Sequence, residues 1–173
     1  MYKVSTFNEL TKGYKQDRLY VDQPTNDTFR ISNGHYLVTV NSADVPPQCQ
    51  FLFTGLEIGG RSTLWRYGTQ SLAGGPDLDA ICNEKRAQTP VSITGELYQT
   101  WESKSPLLRI LREDTPGGET PETEPLETQV QEDYLKMIHE ICGPLDWKAE
   151  TAETALYGSN GVLRAILMPM RKD

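Results

Sequence analysis

Cysteine and histidine are scarce in this 173-residue chain, which contains three cysteines and two histidines. The cysteines are widely separated and form no Cys-x-x-Cys pair, so the sequence predicts neither a disulfide framework nor a zinc site. One Cys/His pair, Cys142 with His139, has helical spacing, but that spacing is more typical of a buried thiol near a solvated imidazole than of a nucleophile. We therefore expect no catalytic residue, no metal and no cofactor, and a protein that is not an enzyme.

Long apolar runs are also lacking. No window approaches the roughly 18 apolar residues that a membrane span requires, and the first residues lead into polar sequence rather than into a signal-peptide core. The sequence predicts a cytoplasmic protein with no membrane partner.

Positive charge is in deficit, since 17 basic residues stand against 24 acidic ones and the net charge is −7. A protein of this charge is repelled by phosphate backbones, so DNA is a doubtful partner and any contact requires a local basic patch. Residues 127–141, which have helical spacing, contain one lysine against four acidic residues. This helix would repel DNA as well.

The first part of the chain is β-rich. Residues 28–32 and 35–40 contain many aromatic and β-branched side chains and flank Asn33-Gly34, a dipeptide typical of tight hairpin turns. A second hairpin is predicted from residues 50–58 and 62–67, because two glycines lie between them.

Further along, Asp77 is placed as the N-cap of a short helix over residues 78–88, and residues 91–97 return to a strand pattern. Residues 106–111 fit a strand or a helix equally well.

Residues 112–125 contain five acidic residues and three prolines but no large apolar side chain. Such a composition indicates a mobile loop or linker, which divides the chain into residues 1–111 and 126–173.

The most regular helical spacing follows this acidic stretch. Apolar side chains recur from Leu126 to Ile141 at intervals of three and four, Thr128-x-x-Gln131 fits a capping box, and Gly143-Pro144 supplies a stop. Strands are predicted at residues 146–151 and 162–168, with a turn between them. The predicted fold is α+β, with antiparallel sheets and two helices.

Two regions carry a family resemblance, the last forty residues and a short stretch upstream. Residues 133–138, Asp-Tyr-Leu-Lys-Met-Ile, followed at the C-terminus by residues 165–171, Ala-Ile-Leu-Met-Pro-Met-Arg, resemble the closing half-domain of the bacterial DNA polymerase III β sliding clamp. In that family a helix with a Tyr-Leu start precedes strands, an exposed turn and a last strand ending in Met-Pro-Met-Arg-Leu. Residues 32–37, Ser-Asn-Gly-His-Tyr-Leu, are similar to the family's Thr-Asp-Gly-His-Arg-Leu stretch.

The resemblance implies a DNA-clamp-like fold and places residues 32–37 and the C-terminal tail in one pocket, which receives a short peptide motif of polymerases and repair proteins. Two methionines around a proline offer an adaptable apolar surface for such a peptide, and an arginine can pair with its carboxylate. The candidate peptide-binding residues are Gly34, His35, Tyr36, Leu37, Ile166, Met168, Pro169, Met170 and Arg171.

The chain also departs from the family. Lys172-Asp173 stands where the family has a terminal leucine, Tyr36 replaces an arginine, and Asn33 replaces an aspartate. Clamps have three domains and are more than twice as long as this chain, so a ring would require a homo-oligomer of several copies.

Together these features predict a clamp-like, non-enzymatic accessory protein of a phage or other mobile element, which binds a protein or peptide of the DNA replication and repair machinery through an apolar C-terminal pocket. The alternative is an acidic interaction or inhibitory protein that mimics nucleic acid or blocks a DNA-processing complex.

Overall fold

The computed structural model describes residues 1–11, 18–65, 70–71, 76–82, 87–98, 108–114 and 126–170. Within these residues eleven strands form one sheet, in the order β5-β4-β1-β2-β3-β11-β10-β9-β6-β7-β8, and neighbouring strands pair antiparallel. The strands are β1 Arg18–Thr25, β2 Thr28–Ser32, β3 Tyr36–Asn41, β4 Arg61–Trp65, β5 Gln70–Ser71, β6 Thr89–Tyr98, β7 Leu108–Glu113, β8 Glu127–Gln131, β9 Asp146–Ala149, β10 Leu156–Ser159 and β11 Leu163–Leu167. This arrangement confirms the predicted α+β class.

The helices of the described residues are α1 Val4–Leu10, the single turn α2 Leu78–Ile81, and α3 Glu132–Cys142, with 3-10 segments at Ser42–Asp44 and Pro47–Phe53. In these parts of the chain no helix combines the length and the apolar character that crossing a membrane requires.

One structural unit occurs twice. In the first copy α1 precedes the antiparallel strands β1, β2 and β3, and in the second copy α3 precedes β9, β10 and β11. The third strands of the two copies pair with each other antiparallel, and the two helices pack together. An approximate twofold axis between β3 and β11 would relate the two units in this way.

The main core lies between α1, α3 and one face of the sheet. Phe7 and Leu10 of α1 and Ile138 of α3 are fully buried there, together with Val38 of β3 and Leu167 of β11. Because burial of apolar surface is the dominant favourable term in folding, these contacts hold the two units together.

The N-terminal region differs from the sequence prediction in three places. Helix α1 and strand β1 were not predicted, and residues 47–53 form a 3-10 helix instead of the first strand of a second hairpin. Strand β4 pairs with β1, which removes the predicted local hairpin. Pro46 and Pro47 explain the 3-10 segment, because proline supplies no backbone donor to a ladder and is favoured at the start of a helical turn.

Around the acidic stretch the structure resolves two uncertainties. Of residues 106–111, which fit a strand or a helix by sequence, the described part from Leu108 belongs to strand β7, and β7 pairs with β8 from the far side of the stretch. The amide of Glu113 donates to the carbonyl of Leu126 over 2.9 Å, so the predicted linker joins neighbouring strands of one sheet. Residues 115–125 lie outside the described residues.

Both predicted helices are shorter than the sequence indicated. Asp77 caps α2 as predicted, with its carboxylate accepting from the amides of Asp79 and Ala80, but the helix ends at Ile81; residues 83–86 of the predicted helix lie outside the described residues. The second begins at Glu132, and residues 127–131 are strand β8. Thr128 therefore forms no capping box, and its hydroxyl donates instead to the carbonyl of Ala152 over 2.8 Å.

Candidate functional site

The first part of the candidate site is the turn between β2 and β3. The side-chain oxygen of Asn33 accepts from the amides of His35 and Tyr36, over 2.9 and 3.2 Å, and Gly34 has a φ of 92°. Asparagine bonds locally in this way, and glycine takes positive φ without a steric penalty. The turn leaves Gly34 and His35 exposed to solvent.

The C-terminal tail lies directly beside this turn. Strand β11 pairs with β3 so that Ile166 is opposite Leu37 and Leu167 is opposite Tyr36. Just beyond the strand, the amide of Met168 donates to the carbonyl of His35 over 2.8 Å. The two stretches that resemble the clamp family, although far apart in sequence, therefore meet in the fold.

Past this point the tail reaches the far edge of the sheet. The amide of Met170 donates to the carbonyl of Gln129 in β8 over 2.8 Å, and the side chain of Gln131 donates to the sulfur of Met170 over 3.5 Å. Pro169, which has no amide hydrogen, lies between the two bonded residues and leaves no donor unsatisfied there.

A cavity of about 440 Å³ lies beside the tail. Pro169, Met170 and Ala152 give it an apolar wall, and Glu127 and Glu153 add carboxylates. Its remaining lining comes from the backbone and side chains of β8. The volume falls within the range of ordinary small-ligand pockets and suffices for one large side chain of a peptide.

Burial separates the predicted site residues into two groups. Gly34, His35 and Met168 are exposed, the last with 41% of its surface accessible, and Pro169 and Met170 are half-buried. Tyr36, Leu37 and Ile166 are buried. The first group lies at or near the surface, whereas the second packs into the interior on the two faces of the sheet. Arg171 lies outside the described residues.

Tyr36 is anchored to the helices. Its hydroxyl donates to the carbonyl of Leu10 at the end of α1, and its ring meets that of Tyr134 edge-on with centroids 5.1 Å apart. Burial raises the pKa of Tyr36 above its ordinary value. The residue that stands where the clamp family has an arginine therefore has a structural position here.

The opposite face of the sheet carries a second, smaller apolar cluster. Leu37 and Ile166 face this side and are covered by Leu78 of α2. The sequence indicated Leu78 only as a helix residue, because nothing local to it predicts contact with the two central strands.

A buried ion pair adjoins that cluster. Arg30, 7% exposed, donates to both carboxylate oxygens of Asp22 over 2.8 and 2.5 Å, and to Asp79 over 2.7 Å. One sequence signal points to this pair: Arg30 lies inside the predicted strand of residues 28–32, and Asp22 lies in the apolar stretch before it. Buried charges of this kind are paired in native proteins.

The Cys142–His139 pair does not form. The imidazole of His139 accepts from the indole of Trp147 over 3.4 Å, and the thiol of Cys142 lies 3.9 Å from the carbonyl of Arg164. Burial raises the pKa of Cys142 to about 11, so its thiol is protonated at neutral pH. His139, predicted on the polar face of its helix, is half-buried. Among the described residues no group of three potential metal ligands converges.

Some of the acidic residues between positions 127 and 141 form ion pairs with basic side chains. Glu132 pairs with Arg109 and with Lys136, and Glu127 pairs with Arg112. Asp133 and Glu140 remain at the surface of α3.

Comparison of the chain with protein-family models, with curated proteins and with solved structures found no match, and none of the three identifies a sliding clamp.

Proposed function

We propose that this protein is a clamp-like, non-enzymatic accessory factor that binds a peptide segment of a DNA replication or repair protein at its C-terminal tail. One observation carries the proposal: the amide of Met168 donates to the carbonyl of His35, which brings both clamp-like stretches to one surface. In the clamp family, by resemblance, the corresponding stretches line the peptide pocket.

The doubled helix-plus-three-strand unit supports this proposal. The resemblance concerned one half-domain at the C-terminus, and a second unit of the same order occupies residues 4–41. The two units share one sheet through β3 and β11. The two clamp-like stretches lie at this junction.

The chemistry of the surface also fits a peptide. Met168 and Met170 present flexible, polarisable side chains on either side of Pro169, and Met170 also lines the cavity beside the tail. Methionine-rich surfaces adapt to varied apolar partners. A leucine or phenylalanine of a partner would supply the buried anchor that such interfaces rely on.

The surface between the two helices favours a protein partner over DNA. Glu9 of α1 and Asp133 and Glu140 of α3 line a shallow groove there, with Lys136 as the basic residue among its lining side chains. Phosphate groups bind where lysine and arginine accumulate. This groove therefore offers no basic track for a duplex, and encirclement of DNA forms no part of the proposal.

A binding assay tests the proposal. Fluorescence anisotropy of a labelled peptide carrying a leucine–phenylalanine clamp-binding motif would be measured on the whole chain and on Met168→Ala and Met170→Ala variants. We expect each change to weaken binding by about tenfold, which corresponds to about 1.4 kcal/mol. Val162→Ala is the matched control, because Val162 is a 60% exposed apolar residue in the turn before β11. Absence of binding, or equal binding by all variants, overturns the proposal.

A further inference from the structure

The sheet face opposite α1 and α3 is apolar at its centre, and a short segment of the chain itself covers it. Leu37 and Ile166, 2% exposed each, form this centre, and Leu163 and Tyr157 extend it. The cover is residues 76–82, which include the single turn α2. Leu37 and Ile166 also belong to the predicted peptide site, and their strands continue to the exposed tail beside His35.

One side chain of this segment is fully buried against the sheet. Leu78 is 2% exposed, whereas Asp77, Asp79 and Ala80 are exposed and Ile81 is 40% exposed. A four-residue helix has little stability of its own, because one turn fixes many dihedral angles for one or two hydrogen bonds. Leu78 is therefore the apolar anchor of the segment, as a single leucine is in many bound peptides.

The two residues on either side of Leu78 are carboxylates, and each faces a guanidinium group. Asp79 accepts from Arg30 over 2.7 Å, and Asp77 lies 3.9 Å from Arg61. Arg30 is fixed in place because its other donors bind Asp22 in the sheet. The sheet thus presents an apolar seat with a guanidinium group on each side, and the guanidinium of Arg30 is also paired with Asp22.

A second set of contacts completes the seat. The hydroxyl of Tyr157 donates to the carbonyl of Ile81 over 3.3 Å, and the side chain of Cys82 packs against the same cluster. A main-chain carbonyl is a group that any peptide supplies. The seat therefore recognises a backbone, a leucine and two acids, and none of these is unique to residues 76–82.

We propose that residues 76–82 are an internal occupant of a peptide-binding surface, and that the partner peptide carries a leucine between two acidic residues. This inference rests on the proposed function, since the seat shares Leu37 and Ile166 with it, and it specifies both the partner's chemistry and the control of its access. In a partner with the order acid-leucine-acid, the leucine takes the apolar contacts of Leu78, and the two acids take the contacts of Asp77 and Asp79 with the arginines. An attached competitor acts at a high effective concentration, so it lowers the apparent affinity for the partner.

The test uses the whole chain and a labelled peptide copying residues 76–82. We expect a Leu78→Ser variant to bind this peptide at least tenfold more tightly than the unchanged protein, because its own segment no longer fills the seat. Ile81→Ser, which changes an exposed apolar residue of the same segment, should bind as the unchanged protein does. Peptides with leucine replaced by serine, or with both aspartates replaced by asparagine, should lose binding to Leu78→Ser.

A second variant guards against misfolding. Asp77→Asn combined with Asp79→Asn leaves Leu78 in place and removes both carboxylate charges, while the side-chain oxygen of an asparagine at position 77 can still cap α2, so binding should tighten by a smaller factor than in Leu78→Ser. Circular dichroism melting verifies that each variant is folded. Equal peptide affinity in the unchanged, Leu78→Ser and doubly substituted proteins overturns the inference, as does an absence of binding up to on the order of 1 mM peptide.

The failure of this inference is distinguishable from the failure of the proposed function. The leucine–phenylalanine peptide is measured in parallel on the same variants. If it binds in a manner dependent on Met168 while Leu78→Ser has no effect on either peptide, only the internal occupant is excluded. If neither peptide binds any folded variant, both proposals fall.

Discussion

Arg109 of β7 donates two parallel hydrogen bonds, each 2.8 Å long, to the carboxylate of Glu132, the first residue of α3. Glu132 is 4% exposed, so this fork-shaped pair is largely withdrawn from water. A carboxylate at a helix N-terminus also interacts favourably with the helix dipole. The pair therefore fixes the point at which β8 ends and the helix begins.

Replacing Glu132 with glutamine should lower the free energy of unfolding by about 2 to 4 kcal/mol, because Arg109 then keeps its charge without a counter-charge in a poorly hydrated position. Urea unfolding followed by circular dichroism measures this change. Asp133→Asn is the control: its side chain is exposed one residue further along, and its effect should stay within about 0.5 kcal/mol. Equal effects of the two substitutions would contradict the structural importance of the pair.

The same pair predicts an acid dependence. Hydrogen bonds from Arg109 hold the pKa of Glu132 below its ordinary value of 4.5. The stabilisation is therefore fully present above about pH 4.5, the value for the unfolded chain, and is lost as the pH falls through the lower value of the folded protein. The acid-induced loss of stability in this window should be smaller in Glu132→Gln than in the unchanged protein.

His139 predicts a second pH effect, nearer neutrality. Burial lowers the pKa of His139 below 6.5, and its neutral ring accepts a hydrogen bond from Trp147. The contribution of His139 to the free energy of unfolding should be constant above about pH 7 and decline as the pH falls below 6.5. It should level off once the pH lies below the pKa of His139 in the folded protein. Unfolding experiments between about pH 5 and 7 measure the slope.

His139→Gln should flatten that slope, because an amide can still accept from Trp147 and does not titrate in this range. His35→Gln provides the comparison, since His35 is an exposed turn residue. If the slope persists in His139→Gln but disappears in His35→Gln, His35 rather than His139 causes the pH dependence.

Gly158 in β10 predicts a packing effect. A β-carbon added there would lie 2.8 Å from the Cδ1 atom of Leu145 and 2.9 Å from the ring of Trp147, both closer than ordinary contact. Because the indole is buried, Gly158→Ala should cost about 1 to 3 kcal/mol, measured as a lower urea midpoint. Gly95→Ala in β6 meets no atom within 4 Å and should be nearly neutral. Similar costs for both would rule out the steric explanation.

Local chemistry accounts for what the sequence predicted well. The hairpin of β2 and β3 follows from Asn33-Gly34, whose side chain and φ form the turn without help from the rest of the chain. Gly143 ends α3 with a φ of 75°, and Asp77 caps α2 through its own carboxylate. These signals act over three or four residues, so they can be recognised in the sequence alone.

Tertiary contacts account for what the sequence prediction missed. Helix α1 has seven residues and depends on burying Phe7 and Leu10 against distant strands. In β8 the alternating residues Thr128 and Val130 are buried in the sheet, yet Val130 also fits a helical spacing with Tyr134. The helical pattern therefore extended too far, because pairing with β7 decides the structure of this stretch.

The candidate site also combines features that local sequence sets with features that tertiary contacts set. The sequence by itself determined the turn at Gly34, the apolar character of Met168 to Met170, the α+β class and the acidic balance of the chain. Only the tertiary structure decided that His35 lies beside Met168, that Tyr36, Leu37 and Ile166 are buried, and that Leu78 covers the last two. The physical reason is that turn formation and helix capping involve neighbouring residues, whereas the pairing of β3 with β11 is stabilised by a shared core that residues from the whole chain build.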